Sequence, residues 1–170
     1  MNKIKIKESN FDNLQKFLFG RNVLVTGHTG FKGSWLTLWL LMCGAKVYGY
    51  SLAPEYNQTL FNDFFNRKNT SREFYGKLNH KVGDINNYVT LSEYVKEVKP
   101  ELVFHLAAQP LVQKSYENPI QTWNTNVMGS LNLLESLKSL QNPCAAVFIT
   151  TDKVYENKEW EHGYRESDQL

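Results

Sequence analysis

Polar and apolar positions along this chain fall into a repeating alternation of short apolar runs and longer stretches with helical spacing. Residues 10–19 read as a short leading helix, with Gly20 as its stop. Residues 23–26 form a β-branched first strand. Residues 31–43 follow as a helix closed by Gly44; its surface is apolar nearly all round, which predicts burial on more than one side. A second strand spans 46–50. Residues 53–79 are long, polar and rich in Asn and aromatics, with room for one short helix at 60–65. A weak third strand at 81–83 precedes a helix over 87–98, closed by Pro100. Strand four covers 102–106 and a loop 109–117. Asn118 can cap a helix with Pro119 in its first turn, running to about 140. Strand five covers 145–151, and residues 152–170 are polar and irregular.

Strands that alternate with helices argue for a parallel sheet, because parallel neighbours need crossover connections. Right-handed crossovers and a glycine-rich loop after strand one predict an α/β, doubly wound sheet of order 3-2-1-4-5. Ligands would then sit at the carboxyl ends of strands one and four.

That glycine-rich loop reads Thr26-Gly27-His28-Thr29-Gly30-Phe31-Lys32-Gly33. Gly27 lets the chain turn sharply out of the strand. Gly30 lets backbone approach a phosphate without a Cβ in the way, and Gly33 lets the helix pack close to the strand. The helix start presents free N–H groups, from Phe31 and Lys32 among others, and a partial positive charge. This is the Rossmann-like arrangement that grips a dinucleotide pyrophosphate. His28 lies in the loop, within reach of a cofactor. His80, His105 and His162 show no metal spacing and read as structural or solvated. Trp35 and Trp39, one helical turn apart, read as core.

Composition narrows the picture further. A net charge of +2 gives no strong pull toward nucleic acid or a membrane surface. The longest apolar stretch, 35–43, is too short to span a bilayer, and the Lys-rich start lacks the apolar core of a secretory signal. Two isolated cysteines, Cys43 and Cys144, suit a reducing, cytoplasmic setting.

Three further motifs accompany the loop: His105-Leu106-Ala107-Ala108-Gln109 at the end of strand four, Thr125-Asn126-Val127-Met128-Gly129 in the next helix, and Thr150-Thr151-Asp152-Lys153-Val154-Tyr155 after strand five. Together they resemble the extended short-chain dehydrogenase/reductases that act on nucleotide sugars, the NAD-dependent epimerase/dehydratase family. The run 25–36, with Gln109-Pro110-Leu111-Val112 and Asp152–Asn157, is most similar to its CDP-glucose 4,6-dehydratase branch. The resemblance implies NAD as cofactor, CDP-glucose or a related nucleotide sugar as substrate, and a lyase producing the 4-keto-6-deoxy sugar. It also implies a homodimer for a full-length member. Members of the family run to about twice this length and carry a Tyr-x-x-x-Lys pair that this chain lacks. The resemblance therefore implies that residues 1–170 are an incomplete dinucleotide-binding domain without the sugar-nucleotide lobe, cut before the last strands and inactive alone. A dinucleotide-binding module without catalysis, and an epimerase or reductase on another nucleotide sugar, are the alternatives. Strand five left as an edge would invite aggregation.

Site residues follow from the same resemblance. Thr151 matches the hydroxyl that bonds the C4 oxygen. Asp152 matches the acid for the departing C6 hydroxyl, and Lys153 replaces the Glu of dTDP-glucose enzymes. Gly27, Gly30, Phe31, Lys32 and Gly33 would hold the pyrophosphate. Asp84 and Ile85 would flank adenine; Leu106, Ala107 and Ala108 would line the path toward the nicotinamide ribose. Gln109, Ser115 and Tyr116 would face the sugar nucleotide, and Asn126 would prop its helix against strand four. Strand two ends Gly49-Tyr50-Ser51-Leu52, without the acid that often grips a ribose. Ser51 can bond a ribose hydroxyl instead, and no Arg adjoins it to hold a 2′-phosphate, so NAD is expected over NADP.

Overall fold

The computed structural model describes residues 6–54, 59–65, 78–151 and 153–170. Five parallel strands stand in the order β3-β2-β1-β4-β5, as the alternation predicts. They are β1 (Asn22–Thr26), β2 (Lys46–Ser51), β3 (Leu78–Val82), β4 (Leu102–His105) and β5 (Ala145–Phe148). The register sets Thr26 beside Tyr50 on one flank and His105 on the other, with His105 beside Phe148. The carboxyl ends of β1, β4 and β5 therefore finish level, and the glycine loop, residues 106–109 and residues 149–151 emerge from one edge.

Alternate strand residues feed two cores, as a sheet covered on both faces requires. On one face Val23, Val25 and Val47 pack with Leu40 and Leu41 of α2 (Phe31–Met42) and Phe61 and Phe65 of α3 (Leu60–Phe65). On the other, Leu24, Tyr50 and Val103 pack with Leu91 and Val95 of α4 (Tyr88–Val98) and with Leu133 of a later helix. The leading helix α1 spans Ile6–Leu18 and delivers Leu18 to the first core. Cys43 is buried, Cys144 is half-buried, and neither is in a disulfide.

Five elements differ from the sequence expectation, the two strands taken together as the fourth point. First, α2 is one-sided: Gly33, Ser34, Thr37, Leu40 and Leu41 are buried, while Phe31 and Met42 face outward. Trp35 is 50% exposed and meets Phe64 edge-on at 4.9 Å, so it is a surface contact with α3 rather than core. Trp39 does pack on the core. Second, the expected loop over 109–117 contains a helix, α5 (Val112–Glu117). Third, the helix expected from Pro119 to about 140 runs unbroken from Pro119 to Leu137 but holds a wide π-helical turn (Asn124–Met128) between α6 (Pro119–Trp123) and α7 (Gly129–Leu137). The Asn118 side chain does not cap α6. Fourth, β5 ends at Phe148 and β3 begins earlier, at Leu78. Helix α4 is capped by Asn87, whose side chain accepts from the Thr90 N–H at 3.1 Å. It ends in a left-handed residue, Lys99, just before Pro100.

Candidate dinucleotide site

Steric demands shape the glycine loop one residue at a time. Gly27 has φ +74°, and a Cβ there would lie 2.7 Å from the Ala107 nitrogen. Only glycine turns here while touching the strand-four loop. A Cβ on Gly33 would collide with the Gly27 carbonyl oxygen, so α2 starts as close to β1 as backbone allows. Gly30 is different. It is exposed, and a Cβ there would meet only the Gly27 oxygen, at 3.3 Å. Gly30 occupies the cap position of α2 with no side-chain cap, so the N–H groups of Phe31, Lys32 and Gly33 point past an open residue without intrahelical partners. Phe31 and Lys32 are both exposed.

Ser51 is buried at the end of β2, 2.7 Å from Thr29 Oγ1. Thr29 also bonds the Leu52 carbonyl at 2.9 Å, which can only accept. The Thr29 proton is therefore committed, Ser51 donates to Thr29, and Ser51 Oγ keeps only acceptor capacity.

The strand-four segment lies across the loop. Leu106 N–H donates to the Thr26 carbonyl at 3.1 Å and Ala107 N–H to Thr26 Oγ1 at 3.3 Å. Leu106 packs toward one core and Ala107 toward the other, and Ala108 is exposed. Gln109 is tied down on both sides. Its backbone N–H and C=O pair with Asn126 Oδ1 and Nδ2 at 2.8 and 3.1 Å. Its own amide bonds Leu111 and Thr122, so the side chain is engaged inside the chain. Ser115 Oγ donates to the Val112 carbonyl at 2.6 Å, and Tyr116 is 83% exposed.

Past β5, Thr151 Oγ1 accepts from the Lys153 N–H at 3.1 Å, and both residues are exposed. Asp152 lies outside the described residues. Asp84 is exposed and turns its Oδ1 onto the Asn86 N–H at 2.9 Å, while Ile85 is buried against Gly129. Asp84 also borders a cleft of about 830 Å³ that runs to Asn118, Asn124 and Asn132. This cleft touches Asp84 but not Ile85 or the glycine loop.

His28 is fully buried rather than presented to a ligand. Its Nε2 sits 2.6 Å from His80 Nδ1, its ring meets Phe61 edge-on at 5.3 Å, and Gly49 leaves room for it. Burial, and secondarily the neighbouring His80, pull its pKa down to about 3. The reading of His28 as a cofactor contact is thereby corrected. Sequence reasoning missed its partners because His80 is 52 residues away.

A family model described as GDP-mannose 4,6 dehydratase matches residues 24–170. The chain belongs to that family. Among curated members and relatives, CDP-glucose 4,6-dehydratase of Salmonella typhimurium is 49% identical over 156 residues, covering 92% of this chain and 41% of the relative. CDP-paratose 2-epimerase of Salmonella typhi is 28% identical over 151 residues, covering 86% and 41%. The chain thus spans about two-fifths of the length of these two relatives. Among solved structures, the epimerase Mth375 of Methanothermobacter thermautotrophicus superposes with TM-score 0.69 at 26% identity, covering 92% of this chain and 43% of its own. A UDP-glucose-4-epimerase of Stenotrophomonas maltophila, solved with bound NAD and formylated UDP-arabinopyranose, shares the fold at TM-score 0.69 and 23% identity, covering 88% and 42%.

Proposed function

We propose that this chain holds NAD at the glycine loop and forms the cofactor-binding part of a CDP-glucose 4,6-dehydratase, which converts CDP-glucose to CDP-4-keto-6-deoxyglucose. The observation that carries the reading is the meeting of three segments at one sheet edge: the uncapped start of α2, the Leu106–Ala107 wall pressed on Gly27, and Thr151 beyond β5. The 49% identity to a CDP-glucose 4,6-dehydratase supports the choice of substrate.

The residues fit the cofactor. An uncapped helix start behind an exposed glycine suits a pyrophosphate, and an exposed helix terminus contributes only about 0.3–1 kcal/mol to an anion, so Phe31, Lys32 and Gly33 act together. Ser51 accepts from a ribose hydroxyl, the one role its remaining lone pairs permit. Asp84 and Ile85 flank the adenine. Bound NAD supplies a reversible oxidant for the sugar carbinol. Thr151 bonds the C4 oxygen, Asp152 gives a proton to the departing C6 hydroxyl, and Lys153 holds a proton or water near C5–C6 or pairs with Asp152. Gln109, Ser115 and Tyr116 lie along the approach to the sugar nucleotide, with Tyr116 the most open of the three. The full-length protein works in the cytoplasm as a homodimer, supplying a deoxysugar nucleotide for lipopolysaccharide. In support of the dimer, Ile120 and Trp123 stand exposed on α6.

Calorimetric titration with NAD and NADP tests the cofactor assignment. NAD is expected to bind the more tightly, because Gly49-Tyr50-Ser51-Leu52 brings no cation for a 2′-phosphate. A preference for NADP would contradict it.

A further inference from the structure

A chain of hydrogen bonds, buried at Thr26 and His105 and opening toward Asn126, links the glycine-loop strand to the helical segment, and valence together with the burial of His105 sets the direction of its bonds. Ser130 Oγ lies 2.7 Å from the Asn126 carbonyl, which can only accept, so the Ser130 proton points there. Ser130 Oγ must then accept from His105 Nε2, 2.9 Å away, and Nε2 carries a hydrogen. His105 is buried, and burial pulls its pKa down to about 4, so the ring is neutral and Nδ1 is bare. Thr26 Oγ1, 2.6 Å from Nδ1, donates to it. The remaining capacity of Thr26 Oγ1 accepts the Ala107 N–H. No hydroxyl in the chain is left with a free choice.

We propose that His105, as the neutral Nε2–H tautomer, is a positioning residue for the dinucleotide: it ties Thr26, one residue before the glycine turn, to Ser130 beside Asn126, and so fixes the Leu106–Gln109 wall against Gly27. The proposal rests on the dinucleotide reading above. The wall is held from both ends, by Thr26 at Ala107 and by Asn126 at Gln109, and His105 is the one group that bonds toward both anchors. Phe148 of β5 closes the ring's remaining side, edge-on at 4.9 Å.

Two measurements on the protein test this. Nitrogen-15 NMR of the histidines should show His105 protonated at Nε2 and bare at Nδ1; the opposite tautomer overturns the bond order. Titration with NAD then compares Thr26→Val, which keeps the shape and loses the hydroxyl, with Thr26→Ser, which does the reverse. Loss of a buried hydrogen bond predicts about tenfold weaker binding for Thr26→Val and a change within about twofold for Thr26→Ser. A packing role alone predicts the reverse order, and that result overturns the proposal, as does unchanged affinity in Thr26→Val. Ser130→Ala breaks the chain from the far side and should weaken NAD binding in the same direction, which guards against a folding defect confined to β1. Failure of the unaltered protein to bind NAD overturns the dinucleotide reading and the positioning role with it, while the NMR result still judges the bond order.

Discussion

Gly33 and Gly27 place backbone against backbone, which makes their substitution costs the most directly readable in the molecule. Gly33→Ala drives a methyl into the Gly27 carbonyl, and neither group is a side chain that can swing away. A loss of about 2 kcal/mol or more is expected in urea denaturation, the range of overpacked cores. Gly163→Ala is the internal control. No atom lies within 4 Å of the added Cβ, and the change should stay within about 0.5 kcal/mol. The two buried histidines set a pH dependence. His28 and His105 have native pKa values lowered to about 3 and about 4 from an ordinary 6.5. The unfolded chain therefore binds more protons than the native one below pH 6.5. Stability from these rings is fully present above that pH and is lost as pH falls toward 4 and then 3. Each ring contributes a slope approaching about 1.4 kcal/mol per pH unit within its window. Urea midpoints measured from pH 7 to 4 should fall steadily, and a flat profile would place these rings in solvent. At this scale the glycines were legible because a Cβ clash is a property of one residue in a known turn. His28 was not, because its burial depends on Phe61, His80 and the absence of a Cβ at Gly49.

Segments show the same division between local and long-range causes. The alternation of apolar runs located β1, β2, β4 and the start of β5, caught only the end of β3, and placed α4 within a residue of its observed start. The π-helical turn at Asn124–Met128 was hidden, since what accompanies it is the bond pair between the Asn126 amide and the Gln109 backbone, 17 residues apart. Helix α5 was hidden for another reason: it opens at Leu111, which offers no capping side chain. Asn126→Ala should therefore cost about 0.5–1.5 kcal/mol by removing two exposed bonds to the Gln109 backbone, and faster hydrogen exchange at the Gln109 amide would report it. Strand β5 is the edge of the described sheet, and Val147 on it is 51% exposed. Val147→Lys should lower the light scattering of concentrated solutions, because a charge on an edge strand opposes strand-to-strand addition. Unchanged scattering would place any self-association elsewhere, with the exposed Ile120 and Trp123 as the next surface to alter.

For the molecule as a whole, strand order followed from the sequence pattern, since parallel strands, right-handed crossover helices and one glycine turn leave few topologies. The placement of cofactor and sugar contacts did not, and it rests on family membership joined to the geometry of one sheet edge. Residues 1–170 contain no Tyr-x-x-x-Lys pair. On their own they should bind NAD and leave CDP-glucose unconverted, and measurable product from the purified chain would refute that division of labour. A dinucleotide held as proposed lies across Gly27–Gly33 and the Leu106–Ala108 wall. Backbone amide NMR during NAD titration tests this placement most directly. The account predicts saturable shifts concentrated at Gly27, Gly30, Phe31, Lys32, Gly33 and Ala107, whereas binding that leaves these amides unmoved and shifts others instead would contradict it.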